Sequence, residues 1–135
     1  MIQIEFKLDA PLTVQAVADV FRESGIERPQ DGDCIRRMID HANLTVSAWT
    51  GDELIGLART LTDFCHSAFL CDMAVKKAFQ KQQIGRQLIE ITKLQLQPTC
   101  TLTLLSPPSA APYYYKAGFE KADNAFVLHP CRKSD

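Results

Sequence analysis

The chain has almost no excess of charge: 15 Lys and Arg stand against 16 Asp and Glu, a formal net charge of −1. That balance argues against broad nucleic-acid binding, which needs a basic footprint. Long hydrophobic runs are missing as well. No stretch approaches the roughly 18 consecutive apolar residues of a transmembrane helix, so no membrane partner is expected. The start, Met1-Ile2-Gln3-Ile4-Glu5-Phe6-Lys7-Leu8, has neither the basic head nor the long apolar core of a signal peptide. The cysteines Cys34, Cys65, Cys71, Cys100 and Cys131 form an odd set without framework spacing, so reduced thiols in the cytoplasm are the economical expectation. Cys65, His66 and Cys71 fall short of four well-spaced ligands, and no metal is expected. Repeats and low-complexity linkers are absent too.

What remains is a chain of 135 residues with 46% hydrophobic and 23% charged side chains. One domain over residues 1–135 is expected, burying roughly two thirds of its unfolded surface. Ile2, Ile4, Phe6 and Leu8 alternate with polar residues and predict a half-buried strand. Thr13 can cap a helix with Val17, Val20 and Phe21 on one stripe, ended by Gly25. A second helix is expected from Asp33, with Ile35, Met38, Ile39 and Ala42 inward. Leu44 to Trp49 and Leu54 to Leu61 predict strands joined by a Thr50-Gly51-Asp52-Glu53 hairpin, and Ala68 to Val75 a third antiparallel strand. A helix over 82–97 should turn Ile84, Leu88, Ile91 and Leu94 to the core, with Pro98 past its end. Thr101 to Leu105 predicts a strand, Tyr113 to Lys116 a short helix, and Ala125 to Leu128 a last strand. The fold class is therefore α/β (α+β), with a mixed, largely antiparallel sheet flanked by helices.

Against the neutral background one stretch is locally basic. The apolar strand Phe69 to Val75 passes through a glutamine-rich turn carrying Lys76, Lys77, Lys81 and Arg86 into an amphipathic helix. A strand feeding a helix start in this way leaves backbone N–H groups pointing together, and with the positive end of the helix dipole they suit a pyrophosphate.

Gln80-Lys81-Gln82-Gln83-Ile84-Gly85 resembles the acetyl-CoA loop of the GNAT N-acetyltransferase superfamily, Gln/Arg-x-x-Gly-x-Gly/Ala, with Gln83 at the middle glycine. Downstream, Ala111-Pro112-Tyr113-Tyr114-Tyr115-Lys116-Ala117-Gly118-Phe119 is similar to the family's Phe-Tyr-x-x-x-Gly-Phe segment. The two motifs occur in the family's order with a strand between them, and the predicted order of elements also matches the family's fold.

The resemblance implies transfer of an acetyl group from acetyl-CoA to a primary amine of a small molecule or a peptide. It assigns Gln80, Lys81, Gln82, Gln83, Ile84, Gly85 and Arg86 to the pyrophosphate, and Met73, Ala74 and Val75 to pairing with the pantetheine arm. A backbone N–H of that strand would also stabilise the oxyanion. Gly85 has no Cβ to hold the phosphate away from the backbone. If position 83 needs φ > 0, Gln83 would cost roughly 1–2 kcal/mol there. Tyr114 matches the tyrosine that protonates the coenzyme A thiolate; a phenol near pKa 10 and a thiol near about 8.5 are close enough for that transfer.

A base is harder to find. Some family members carry Glu or His where Phe69 and Cys71 stand here, and by strand alternation Asp72 faces the other side. Asp63, His66 or a water chain remain for that role. A non-catalytic acyl-CoA-binding sensor or interaction module is the alternative function, and a monomer or a homodimer the expected assembly.

Overall fold

The structure is a computed structural model that describes residues 3–130, so Ile2 and Cys131 lie outside the described residues. Two compact units divide it between Leu105 and Ser106. The first contains a five-stranded sheet in sequential order: β1 (Glu5–Leu8), β2 (Leu44–Thr50), β3 (Glu53–Thr62), β4 (Ser67–Val75) and β5 (Thr101–Leu104). The first four strands are antiparallel neighbours, and β5 joins β4 in parallel.

Three helices flank this sheet: α1 (Val14–Ser24), α2 (Gly32–His41) and α3 (Ile84–Leu94). The Thr13 hydroxyl accepts from Ala16 N–H at 3.1 Å, and Gly25 ends α1 at φ 87°. Asp31, two residues before the expected start at Asp33, caps α2 by accepting from Cys34 N–H at 3.2 Å. Val17, Val20 and Phe21 of α1 and Ile35 of α2 form a buried cluster with Leu54 and Leu57 of β3 and Ala74 of β4. Burying a side chain of this size contributes about 1.5–3 kcal/mol, and the four from α1 and α2 fix these helices to one face.

The other face takes α3. A Cβ on Gly56 would lie 3.3 Å from Leu88 Cδ1 and 3.4 Å from the Ala74 carbonyl oxygen. A hydrogen there lets the helix settle close to the sheet. The buried residues of α3 are Ile84, Leu88, Ile89 and Thr92; Leu94, expected inward, is 78% exposed. The helix ends at Leu94, and Thr92 fills the inward place because its hydroxyl donates to the Leu88 carbonyl at 2.8 Å.

The second unit contains α4 (Ala111–Lys116), two residues longer at its start than expected. No strand forms at 125–128: Phe126 and Leu128 are 95% and 99% exposed. An apolar run becomes a strand only with a ladder partner, and among the described residues this run has none.

Candidate functional site

The chemistry-bearing stretch begins with a break in the register of β4. Leu57 faces Ala74 and Arg59 faces Asp72, but Thr60 faces Leu70, so Cys71 is an extra residue in a bulge. The inserted residue changes which face each half of β4 presents. Phe69 and Asp72, three apart, lie opposite Leu61 and Arg59 on one face, where plain alternation had put Asp72 on the side away from Phe69. At the same place β4 parts from β5: parallel pairing covers Ser67–Leu70 with Thr101–Leu104 and stops. From Cys71 to Val75, which includes Met73, Ala74 and Val75, the edge that faced β5 has no strand partner among the described residues.

Beyond Val75 the chain makes a short turn at Lys77–Phe79 and then runs into α3. Lys76 is not part of a free basic cluster. It is 7% exposed, with its ammonium 3.1 Å from Glu53 and 3.7 Å from Glu23. The stem of Lys77 lies against Gly25, whose added Cβ would come 3.0 Å from Lys77 Cε. The exposed Gln80 donates its side-chain amide to the Val75 carbonyl at 2.8 Å, so it holds the loop to the end of β4.

Lys81 and Gln83 are both left-handed, at φ 68° and 66°. Alternating backbone handedness of this kind turns successive N–H groups toward one point, forming an anion-binding concavity. Gln83 occupies the cap position of α3, yet no side chain caps that helix start. The first bond into the helix is from Gln87 N–H to the Gln83 carbonyl at 3.0 Å. The N–H groups of Ile84, Gly85 and Arg86 precede it and fall among the unpaired donors of a first turn. Lys81 is exposed and Arg86 half-buried beside them. Of the four cations expected at the turn, these two stand at the helix start.

In the second unit Tyr114 lies between two rings, edge-on to Tyr113 at 5.2 Å and to Phe119 at 5.7 Å between centroids. The Phe119 N–H donates to the Tyr114 carbonyl at 3.0 Å, and Gly118 makes the reversal at φ 97°. Tyr115 is 53% exposed. Of the three tyrosines, Tyr114 is therefore the one whose ring the motif's own phenylalanine and turn hold in place.

The family model of the acetyltransferase (GNAT) domain matches residues 13–132. The chain belongs to the GNAT family and is an acyltransferase. A protein of unknown function from meticillin-resistant Staphylococcus aureus shares the fold, with a TM-score of 0.81, 21% identity, and cover of 96% of this chain and 100% of that one. A GNAT-family acetyltransferase from Streptococcus pneumoniae matches at TM-score 0.81 and 20% identity, over 97% of this chain and 100% of its own. An aminoglycoside N-acetyltransferase in complex with CoA matches at TM-score 0.70 and 14% identity, over 96% of both chains. No curated protein sequence matches this one.

Within the GNAT loop the departure at Gln83 has a definite conformational meaning. The position that matches the family's glycine is left-handed here, so the chain holds an L-residue where glycine is unstrained. Such a residue costs roughly 1–2 kcal/mol, of which glycine's extra unfolded-state entropy would return about 0.5–1. Gln83→Gly should therefore raise the unfolding free energy by about 0.5–1 kcal/mol, or the melting temperature by about 2–4 °C. A melt by circular dichroism measures this, and a lower melting temperature would contradict the strain.

Neither of the two residues considered as base is suited to that role. The Asp63 carboxylate accepts the N–H groups of His66, Ser67 and Cys65 at 2.7, 3.0 and 3.0 Å. Those bonds, the one from His66 foremost, hold its pKa down at about 2. Such a carboxylate builds a turn and is too weak a base at neutral pH. His66 lies in the same turn, just before β4; its distance from the bulge at Cys71 is about 15 Å at the rise of a strand. The Cys71 thiol is pushed up by burial, which suits an inert side chain.

Sequence reasoning missed the pairing of a buried charge cluster. Asp72, 2% exposed, receives Arg28 Nε on one carboxylate oxygen and Arg59 Nε on the other, each at 2.5 Å. Arg59 also donates to the Met38 carbonyl at 3.4 Å, and Arg28 to the Cys71 carbonyl at 3.0 Å. One signal was available: an aspartate inside the apolar run Phe69 to Val75 requires a cationic partner if it is buried. The bulge that brings Arg59 opposite it has no sequence mark.

Proposed function

We propose that this protein is an acetyl-CoA-dependent N-acetyltransferase acting on a primary amine of a small molecule or peptide, with residues 1–135 as one catalytic domain. The single observation that carries the reading is the continuity of two features. The open edge of β4 leads through one short turn into a left-handed loop and an uncapped helix start. That sequence of donors fits an elongated ligand with an amide-bearing arm at one end and a pyrophosphate at the other. The backbone of Met73, Ala74 and Val75 would hold the arm. The N–H groups of Gln82 to Arg86, with the Lys81 and Arg86 cations, would hold the pyrophosphate, while Gln80 keeps the loop on β4.

Bound acetyl-CoA supplies an activated acetyl group: the amine nitrogen bonds to the acetyl carbon, the carbon–sulfur bond breaks, one proton leaves nitrogen and one reaches sulfur. A backbone N–H of Met73, Ala74 or Val75 would polarise the carbonyl oxygen, a contribution of about 3 kcal/mol. Tyr114 would deliver the proton to sulfur, a role that rests on its match to the family's tyrosine. Water would take the ammonium proton, since Asp63 and His66 are unsuited.

Gly85→Glu tests the phosphate site. A glutamate in the first turn of a helix favours the helix itself, so the unliganded melting temperature should hold. Acetyl-CoA at 100-fold over its dissociation constant should stabilise the parent by ~2.7 kcal/mol and the variant by little. Equal thermal shifts would refute the assignment. The loss of both candidate bases favours a second reading, a non-catalytic acyl-CoA-binding module. Acetyl-CoA binding without thiol release on any of a panel of amines would select it.

A further inference from the structure

We propose that Arg28 makes the head of the β4 opening a carboxylate site, so that the acceptor is an amine that also carries a carboxylate. The proposal rests on the acetyltransferase reading above and names its acceptor class. Arg28 comes from the loop between α1 and α2, but its guanidinium lies against β4, where it donates to the Cys71 carbonyl at 3.0 Å. Cys71 is the bulge residue at which β4 leaves β5. The cation therefore stands where the open edge begins, at the far end from the phosphate loop.

Its charge is not used up. Arg28 and Arg59 share one carboxylate, that of Asp72, which leaves one positive charge in excess. Arg59 is the deeper of the two, with its side chain 12% exposed against 32% for Arg28. A solute thus meets Arg28. A guanidinium has five N–H groups; here single bonds run from Nε to Asp72, from Nη1 to the Glu27 carbonyl and from Nη2 to the Cys71 carbonyl. One N–H on each terminal nitrogen remains, the fork that grips a carboxylate with two bonds. Of the neighbouring charges one is occupied and one is not. Arg22 is paired with Asp19 and Glu23. The Glu27 carboxylate makes no ion pair among the described residues. Beside Arg28 is an open depression of about 550 Å³ walled by Arg22, Ile26, Glu27, Pro29 and Gln30, with room for a short aliphatic chain against Ile26 and Pro29.

The test is thiol release by the full-length protein with matched acceptors: the ω-amino acids from glycine to 6-aminohexanoate, each against its primary amide. The amide keeps the shape and loses the charge. At least one acid should exceed its amide by tenfold or more in kcat/KM, mainly through KM. Arg28→Gln should abolish that preference, bringing acid and amide to the same kcat/KM, and Arg28→Lys should keep part of it. Equal rates for acid and amide in the parent protein overturn the proposal, whether or not the variants fold. Should no amine be acetylated, the acetyltransferase reading fails, and calorimetric titration of the same pairs into the CoA-bound protein decides the carboxylate site alone. Acid-selective binding that Arg28→Gln removes supports it, and binding of neither or of both equally overturns it.

Discussion

Tyr114→Phe is expected to lower turnover by roughly 10²- to 10⁴-fold with little change in acetyl-CoA affinity. The substitution keeps the ring, and the ring is what packs edge-on against Tyr113 and Phe119. Aromatic pairs of this kind contribute about 0.5–1.5 kcal/mol each, and phenylalanine retains them. The fold of the second unit should therefore survive, and the lost hydroxyl should appear in kcat. Steady-state thiol release with a fixed amine, read beside a thermal shift with acetyl-CoA, separates the two effects. Activity within about threefold of the parent would exclude a general acid at this position. Tyr113→Phe and Tyr115→Phe serve as register controls. Tyr115 is 53% exposed and its substitution should be close to silent, whereas a loss there equal to that of Tyr114→Phe would move the role by one residue.

The largest loss of stability is expected at Asp72. Removing this carboxylate in Asp72→Ala leaves Arg28 and Arg59 facing each other with no counter-charge. Arg28 can swing into water, but Arg59 is held under the α2 end by its bond to the Met38 carbonyl. Breaking one side of a buried ion pair costs about 3–5 kcal/mol, a third or more of the stability of an average small domain. Urea unfolding should show the midpoint falling sharply with the slope retained. Replacing Asp72 and Arg59 together by leucine and methionine should recover most of the loss, because the penalty belongs to the stranded cation. A single variant as stable as the parent would show that the cluster is solvated.

Much of the architecture was readable because its signals are local. Thr13 and Gly25 bracket α1 by side-chain chemistry and by a left-handed φ, and Gly51 does the same for the β2–β3 hairpin at φ 56°. The cofactor loop was readable as a motif. Features that depend on pairing were less accessible. Lys76 looks like any other lysine in the basic turn, and only the fold brings Glu53 and Glu23 to it. Asp72 is assigned to the wrong side by a period of two, because one inserted residue reverses the alternation without altering composition. Leu94 satisfies helical periodicity, but the helix stops there, and the buried place next to it is filled by Thr92 through a bond to its own backbone. Phe126 to Leu128 has the composition of a strand without the neighbour that would make it one.

The four-residue ladder between β4 and β5 also has a consequence for the order in which the sheet assembles. The β2–β3 and β3–β4 hairpins close over short turns, while β5 must return to β4 across the whole of α3. Loop closure over that distance is entropically unfavourable and is offset by only a short parallel pairing, the weaker kind of ladder. Strand β5, like the four-residue β1 at the opposite edge, thus pairs after the hairpins, and local opening there requires little free energy. The boundary at Leu70 is then the line at which the parallel ladder ends. The antiparallel ladders of β1 to β4 contain no residue of β5, so they stand whether or not that edge is paired.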